Sequence, residues 1–278
     1  MYTAKIVTDS GKSFEFSYRN GVVFDIYPLS GVDVTLSTSQ GFQQIGETVE
    51  GMTVKGIRRT IKGVILNPAT AKAMLSTITT FAAGRLYFNG AYFCPITVQK
   101  TPTIALARSG KMTFTMQVYC ESPYWYKTAE TSVLLSGTTK LFFFPVLYDS
   151  HKFGESMENA FINVYNSGDV PAAIDLRLSS SGTVTNYGIA DTRSGAVLKF
   201  EDTLNSGEQL RLRQIGGRIV AEKTVDGEIL GAMGYLSDDS TLFHLAVGDN
   251  VLTAIADEGL SDLRASVQFN AAYMGVVP

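Results

Sequence analysis

The sequence predicts a mainly β protein of two domains, the first β-rich with one helix packed against its sheet and the second an antiparallel β-sandwich. The 278 residues, 45% hydrophobic and 18% charged, are enough for two domains of ordinary globular composition. Short segments of alternating apolar and polar residues recur along the chain, and glycine-containing turns separate them. Only one segment has the apolar spacing of a convincing helix.

The first domain opens with three short alternating segments, residues 4–7, 13–16 and 22–27. Turn-forming residues separate them, first Asp9-Ser10-Gly11 and then Arg19-Asn20-Gly21. Asn-Gly between two strands is a strong signal for a two-residue hairpin turn, so we expect a hairpin at this second turn. For the same reason we expect another hairpin at Asn89-Gly90, between strands at residues 86–88 and 92–94.

The helix is predicted over residues Asn67–Ala83. Asn67 can cap its N-terminus, and Pro68 fits the first helical position, where no backbone N–H is needed. The apolar residues between them and Ala83 follow helical spacing, so one face is expected to pack on a sheet. Gly84 is expected to end the helix as a left-handed residue.

A polar segment, Ser37–Gly51, follows a predicted strand at residues 32–36. It contains three glutamines and has almost no aliphatic periodicity. We therefore expect a long loop, of the kind that is functional or becomes ordered on assembly.

The domain boundary is predicted near residue 130, which gives domains 1–130 and 131–278. The first carries 13 basic and 8 acidic residues and the second 10 basic and 18 acidic. This asymmetry suggests that the two domains have different surroundings. In the second domain, strands 209–215, 218–225 and 228–235 form a predicted meander with turns at Gly216-Gly217 and Asp226-Gly227.

Catalytic, cofactor and metal motifs are absent from the sequence, and we predict no enzyme, no cofactor and no metal site. His244 lies in an apolar run and is expected to be packed and hydrogen-bonded. The other histidine, His151, belongs to no catalytic or metal-binding motif. The acidic pairs Asp238-Asp239 and Asp257-Glu258 are interpreted as solvated turns, with calcium binding as the alternative. Cys94 and Cys120 are expected to be free buried thiols, with a disulfide as the alternative.

Neither a signal peptide nor an apolar run long enough to span a bilayer is present in the sequence. We therefore expect a protein that folds in a cytoplasm and has no membrane partner. Arg58, Arg59 and Lys62 lie in a predicted strand among apolar residues. They are interpreted as interface or solvated charges, with phosphate contact as the alternative.

An aromatic cluster, Pro123-Tyr124-Trp125-Tyr126, holds the only tryptophan of the chain. We interpret Pro123, Tyr124 and Trp125 as sealing the joint between the two domains. The alternative is an exposed platform that stacks on a sugar or anchors a protein partner.

The order of these features resembles the distal tail protein family of long-tailed bacteriophages over the whole chain. None of them is a catalytic fingerprint, so the specificity lies in their order. The matching segments are the strand Gly56–Leu66, the helix from Asn67 to Ala83, Gly84-Arg85-Leu86, Glu121-Ser122-Pro123-Tyr124-Trp125, Phe153-Gly154, Asn166-Ser167-Gly168-Asp169-Val170-Pro171-Ala172 and Gly248-Asp249-Asn250.

The resemblance implies a structural baseplate hub at the tail tip of the virion, assembled in the cytoplasm of the host bacterium. Its first domain would be a β-sandwich with one flanking helix, like a tail-tube subunit. Copies of this domain would close into a hexameric ring, through which DNA passes only as cargo. Its second, galectin-like domain would be a platform for receptor-binding proteins. The other partners would be the major tail tube protein and the tail-associated tip protein. On this basis Gln40, Gln43, Gln44, Arg58 and Arg59 are predicted subunit contacts.

The alternative function is a carbohydrate-binding module that recognises host surface glycans. It is suggested by the all-β second domain and by the lectin-like shape that the resemblance implies. Against it, residues 131–278 contain no tryptophan, the residue that flat sugar platforms usually use.

Overall fold

The computed structural model describes residues 2–106, 111–139, 155–157, 161–215 and 218–277. The chain divides into two compact units. Unit 1 consists of Met1–Ala129 with Ala272–Pro278, and unit 2 of Glu130–Ala271. The sequence prediction assigned the last seven residues to the second domain, and the structure places them in unit 1. The predicted turns at Phe153-Gly154 and Gly216-Gly217, and also His151, lie outside the described residues.

In the described part of unit 1 there are ten strands from the first half of the chain and one from its end. Helix α1 (Pro68–Thr77) lies between the sixth and seventh strands, and a 3-10 turn (Tyr18–Asn20) between the second and third. The strands are β1 (Ala4–Thr8), β2 (Ser13–Phe16), β3 (Val22–Tyr27), β4 (Val34–Ser39), β5 (Thr48–Val54), β6 (Ile57–Ile65), β7 (Ala83–Phe88), β8 (Tyr92–Leu106), β9 (Met112–Cys120) and β10 (Trp125–Lys127).

Unit 2 has eleven strands among the described residues, and two 3-10 turns, Met233–Tyr235 and Leu260–Asp262. The last strand of the chain, β22 (Ala272–Tyr273), returns to unit 1 and pairs with β10. The strands of unit 2 are β11 (Thr131–Thr139), β12 (Glu155–Met157), β13 (Ile162–Asn166), β14 (Asp175–Ser180), β15 (Val184–Asp191), β16 (Val197–Leu204), β17 (Gln209–Ile215), β18 (Arg218–Val225), β19 (Glu228–Gly231), β20 (Gly248–Glu258) and β21 (Leu263–Phe269).

The main sheet of unit 1 has the strand order β2-β1-β7-β8-β9-β6-β3, and β10 pairs with β8. All the pairings are antiparallel, and alternate side chains enter one apolar core that includes Ile6, Phe16 and Ile61. Met74 and Ile78 on and just after α1 join the same core, as the helical spacing predicts.

The predicted hairpin at Asn20-Gly21 is wrong. Gly21 is left-handed, with φ 71°, but it caps the 3-10 turn that follows β2. Strands β2 and β3 stand at the two ends of the sheet order and do not pair with each other. The Asn-Gly signal is correct at Asn89-Gly90, where φ values of 51° and 67° give the turn between β7 and β8.

Helix α1 begins as predicted, since Asn67 Oδ1 accepts a hydrogen bond of 2.8 Å from the backbone N–H of Ala69. It ends at Thr77, earlier than the predicted Ala83. Gly84 lies in β7, where a Cβ atom would come within 2.1 Å of the Val7 carbonyl oxygen. The glycine therefore allows two strands to approach closely and does not cap the helix.

Unit 2 contains a seven-stranded and a four-stranded antiparallel sheet. Their strand orders are β12-β11-β21-β14-β17-β18-β19 and β13-β20-β15-β16. Alternation along the strands buries one face of each, as in the predicted antiparallel sandwich. The Asp226-Gly227 turn is confirmed with φ values of 50° and 86°. The predicted last strand of the meander ends at Gly231, before a 3-10 turn.

Candidate assembly surface

The segment predicted as a loop is an antiparallel hairpin, which we call the arm (residues 34–54). Strands β4 and β5 pair from Val34–Val54 to Ser39–Thr48, with a register shift after Ser37. The loop prediction is wrong because the hairpin exposes both of its faces. Its sequence therefore lacks the buried positions that normally reveal a strand.

One face of the arm is apolar. Val34 pairs with Val54 and Leu36 pairs with Met52, so these four side chains share a face, which we call the apolar stripe. All four are exposed, Met52 to 73%. An isolated two-stranded hairpin is marginally stable in water, and clustered exposed apolar side chains mark interaction sites. The arm thus has the composition of a surface that another molecule covers.

The tip of the arm is held by two of the predicted contact glutamines. Gln40 Nε2 donates to the carbonyl of Gln44 at 3.1 Å. The Gln44 side chain accepts from the Gly41 N–H at 2.8 Å and donates to Thr48 Oγ1 at 2.9 Å. Gln43 adopts a left-handed backbone conformation, with φ 59°. Gln40 and Gln44 therefore shape the tip through bonds within it, and all three glutamines are exposed.

Two apolar side chains at the tip were missed by the sequence reasoning, which looked for polar contact residues. Phe42 is 96% exposed and Ile45 is fully exposed. A signal for Phe42 existed in the sequence, because an aromatic residue lies in a segment predicted to become ordered on assembly, and aromatic side chains are enriched at interfaces.

Arg58 and Arg59 point to opposite faces of β6. Arg58 is exposed and lies opposite Tyr119 of β9, so it remains a candidate for subunit contact. Arg59 is fully buried. Its guanidinium donates to the carbonyls of Pro28 and Pro123 and lies 4.4 Å from the ring centre of Trp125. The prediction of Arg59 as a surface contact is therefore wrong in this conformation, because alternation along the strand turns it into the core.

The aromatic cluster is part of the core of unit 1. Trp125 is fully buried, its indole N–H donates to the Leu29 carbonyl at 2.9 Å, and its ring packs against Phe88. Pro123 is buried and Tyr124 half-buried. A buried tryptophan cannot stack on a sugar, so the sugar-platform alternative loses its main residue. The role of this cluster at the joint between the domains stays a prediction.

Cys94 and Cys120 are free, fully buried thiols, as predicted. Their sulfur atoms lie 3.7 Å apart. The hydrogen bond from Cys94 and the nearby Arg59 cation lower the pKa of Cys120 to about 7, whereas burial raises the pKa of Cys94.

A second buried cation lies in unit 2. Lys223 is 8% exposed, and its ammonium donates to Asp202 at 2.8 Å, to Glu208 at 3.1 Å and to the Thr203 carbonyl at 2.7 Å. The Tyr187 hydroxyl donates to the same Asp202 oxygen at 2.9 Å. Burial opposes the charge of Lys223, but the hydrogen bonds to Asp202 and Glu208 outweigh it and raise the pKa of Lys223.

Two of the turn motifs that carry the resemblance contain a buried asparagine that stabilises the turn. Asn166 is buried and bonds the carbonyls of Val170 and Leu245. Asn250 is buried as well, and it bonds the carbonyls of Val164 and Ala246 and accepts from the Ala246 N–H. These side chains satisfy backbone groups of neighbouring turns, which explains why asparagine stands at both places.

His244 is exposed, so its prediction as a packed histidine is wrong. Asp257 is exposed and forms an ion pair with Lys199. In the part of the chain that the structure describes, no three His, Cys, Asp or Glu side chains gather as metal ligands. No helix within those residues has the length and apolarity needed to cross a membrane.

The order of strands around helix α1, followed by the antiparallel unit 2, is similar to the fold of a phage distal tail protein. The crystal structure of the SPP1 Dit protein (gp 19.1), a hub adsorption apparatus in phages that infect Gram-positive bacteria, matches with a TM-score of 0.67 and 12% identity. The match covers 98% of this chain and 99% of that chain. The resemblance is thereby confirmed as a likeness of fold.

A protein of the phage P2 baseplate, in its activated conformation with Ca, matches with a TM-score of 0.50 and 12% identity. It covers 96% of this chain and 98% of that chain. No protein-family model matches the chain, and no curated protein sequence matches it.

Proposed function

We propose that this chain is a structural, non-enzymatic baseplate hub at the tail tip of a phage virion. The observation that carries the proposal is the likeness of fold over almost the full length of SPP1 Dit, combined with an arm that exposes an apolar face. Six copies would form a ring that joins the tail tube to the tail-associated tip protein. Unit 2 would serve as the platform for receptor-binding proteins.

The arm is the proposed contact between neighbouring copies. Its apolar stripe needs a cover, and a second copy of the chain is always present at equal concentration. Repeating one such heterologous contact around an axis closes a ring when the rotation between copies allows it. Arg58 and the exposed tip residues Phe42 and Ile45 would extend the same contact.

Sedimentation velocity with negative-stain imaging of the full chain, over a range of concentrations, tests this proposal. We expect a ring of six with a central pore. The double variant Leu36→Asp/Met52→Asp places charges on the apolar stripe and should abolish the ring. Its matched control, Thr35→Asp/Thr53→Asp, places the same charges on the opposite face of the same strands and should retain it.

Two outcomes would contradict the proposal of arm-mediated assembly. In one, the chain stays monomeric at every concentration, alone and with tail tube protein added. In the other, rings form equally well in both double variants. A glycan array probed with the full chain tests the carbohydrate-binding alternative, for which we expect no binding.

A further inference from the structure

The two cysteines form a thiol pair for which the proposed hub role provides no use. Cys94 belongs to β8 and Cys120 to β9, and both side chains turn into the core of unit 1. Their sulfur atoms are 3.7 Å apart, which is within contact distance but too far for a covalent S–S bond. A disulfide requires a distance of about 2.05 Å, so oxidation needs an approach of about 1.7 Å.

The pairing between β8 and β9 ends before it reaches the two cysteines. Antiparallel pairing between β8 and β9 runs from Leu106–Met112 to Thr97–Tyr119, just short of the cysteines. Closer to Cys94, strand β8 pairs instead with β10, through Tyr92 and Phe93. The β8–β9 pairing therefore does not have to break for the sulfur atoms to meet. On their other sides, Cys94 pairs with Leu86 of β7 and Cys120 pairs with Ile57 of β6.

A buried cation stands beside the pair. The guanidinium of Arg59 is close enough to lower the pKa of both thiols. Its Nη atoms bond two backbone carbonyls, whereas its buried Nε has no hydrogen-bond acceptor among the described residues. A thiolate at the pair would provide negative charge near this guanidinium and would also be the nucleophilic form of cysteine.

We propose that Cys94 and Cys120 are a redox-active pair that a small hydroperoxide converts to an internal disulfide linking β8 to β9. The Cys120 thiolate attacks one oxygen of hydrogen peroxide, the O–O bond breaks, and hydroxide leaves and becomes water. The resulting Cys120 sulfenic acid is then attacked by the Cys94 sulfur, and a second water leaves as the S–S bond forms. Each disulfide consumes one peroxide and oxidises two thiols.

The pair is expected to react asymmetrically. Cys120 is the first nucleophile because Cys94 and Arg59 both stabilise its thiolate, while burial keeps Cys94 protonated. The oxidant must be small because both side chains are fully buried. The reaction depends only on unit 1, so it stands or falls independently of ring formation.

The full chain treated with hydrogen peroxide under native conditions tests the proposal. The thiol count after denaturation should fall from two per chain to none, and digestion without reduction should yield a peptide pair joined through Cys94 and Cys120. A reductant should restore both thiols. Linked peptides are the better readout than intact mass, because exposed methionines such as Met52 also gain oxygen.

Two single variants test the order of events. In Cys94→Ser, the sulfenic acid at Cys120 has no partner and should be captured by dimedone when the oxidised chain is denatured in its presence. In Cys120→Ser, Cys94 should react at least ~10-fold more slowly. Circular dichroism and the melting temperature verify that each variant is folded, and the wild-type peptide map remains decisive if either is not.

The proposal is overturned if wild-type chains keep two thiols while Met52 becomes oxidised, since the oxidant then reached the protein without linking the pair. Disulfides only between different chains, or a link that appears only after denaturation, would overturn it as well.

Discussion

Among the residues that the structure describes, each unit buries one long cationic side chain, and the two are stabilised in different ways. In unit 1, Arg59 is bonded to two neutral carbonyls and stacked on Trp125. In unit 2, Lys223 is held between the carboxylates of Asp202 and Glu208. The planar guanidinium can bridge separated acceptors without an acid, whereas a compact ammonium loses more hydration and needs opposite charge.

This difference determines which buried groups lose their partner when either cation is substituted. Removing Arg59 leaves two backbone carbonyls without donors and a space beside Trp125. Removing Lys223 leaves two carboxylates close together in a poorly hydrated place. The first loss is a matter of packing and hydrogen bonds, and the second is electrostatic and therefore depends on pH.

The largest effect is expected for Arg59→Met, which should lower the free energy of unfolding of unit 1 by about 4 kcal/mol. The Pro123 carbonyl, which is buried, and the Pro28 carbonyl, which is partly buried, lose their donor, and with the lost contact to the indole ring this adds up to roughly that amount. Chemical denaturation followed by the fluorescence of Trp125, the only tryptophan, measures it directly.

Arg59→Lys is the control for charge alone. Lysine keeps the cation but cannot reach both carbonyls with one rigid group, so we expect about 2 kcal/mol of destabilisation. Equal stability of Arg59→Lys and wild type would show that charge matters and the bridging geometry does not.

A smaller loss, about 3 kcal/mol, is expected in unit 2 for Lys223→Met at neutral pH, because two carboxylates lose their shared cation. Adding Asp202→Asn to this variant should recover part of the loss. The matched control is Lys199→Met, which breaks an ion pair with Asp257 on the surface and should cost about 0–1 kcal/mol. Calorimetry of the full chain measures all three variants. A similar cost for Lys199→Met and Lys223→Met would contradict the burial argument.

The two units should also respond to different pH ranges. In unit 2, the Asn205 N–H and Lys223 lower the pKa of Glu208 below 4.5, so this stabilisation is present above about pH 4.5 and is lost as the pH falls further. In unit 1, the pKa of Cys120 is lowered from 9.0 to about 7, so its stabilisation grows between pH 7 and 9 and is lost on lowering the pH through 7.

Calorimetric scans from pH 4 to pH 9 under reducing conditions separate these ranges. Raising the pH from 7 to 9 should raise the melting temperature of unit 1 and leave that of unit 2 unchanged. Cys120→Ala should remove this rise. A melting temperature of unit 1 that falls over the same range would contradict the prediction.

The sequence predicted what depends on local chemistry. The cap at Asn67, the turns at Asn89-Gly90 and Asp226-Gly227, and the buried thiols were all correct, because each depends on residues close in the chain or on a general preference of the residue type. The family resemblance was confirmed for the fold.

The failures have a common physical origin in contacts between distant segments. Gly84 faces the backbone of Val7, and Arg59 meets carbonyls at Pro28 and Pro123. No local pattern distinguishes a glycine that ends a helix from one that lets two strands approach, or an arginine that faces out from one that faces in. The prediction of a loop in place of the arm failed for another reason. A hairpin exposed on both faces lacks the burial pattern by which strands are recognised in a sequence.

The smallest effect on stability is expected for the arm, where Leu36→Asp/Met52→Asp should change the free energy of unfolding of the monomer by no more than about 0.5 kcal/mol. Both side chains are exposed, and surface substitutions rarely cost more. The same variant should abolish the proposed ring. Substitution in the arm should therefore affect assembly with little effect on stability, whereas substitution of Arg59 or Lys223 should lower the stability of its unit. A loss of monomer stability comparable to that of Arg59→Met would instead show that the apolar stripe packs on its own unit.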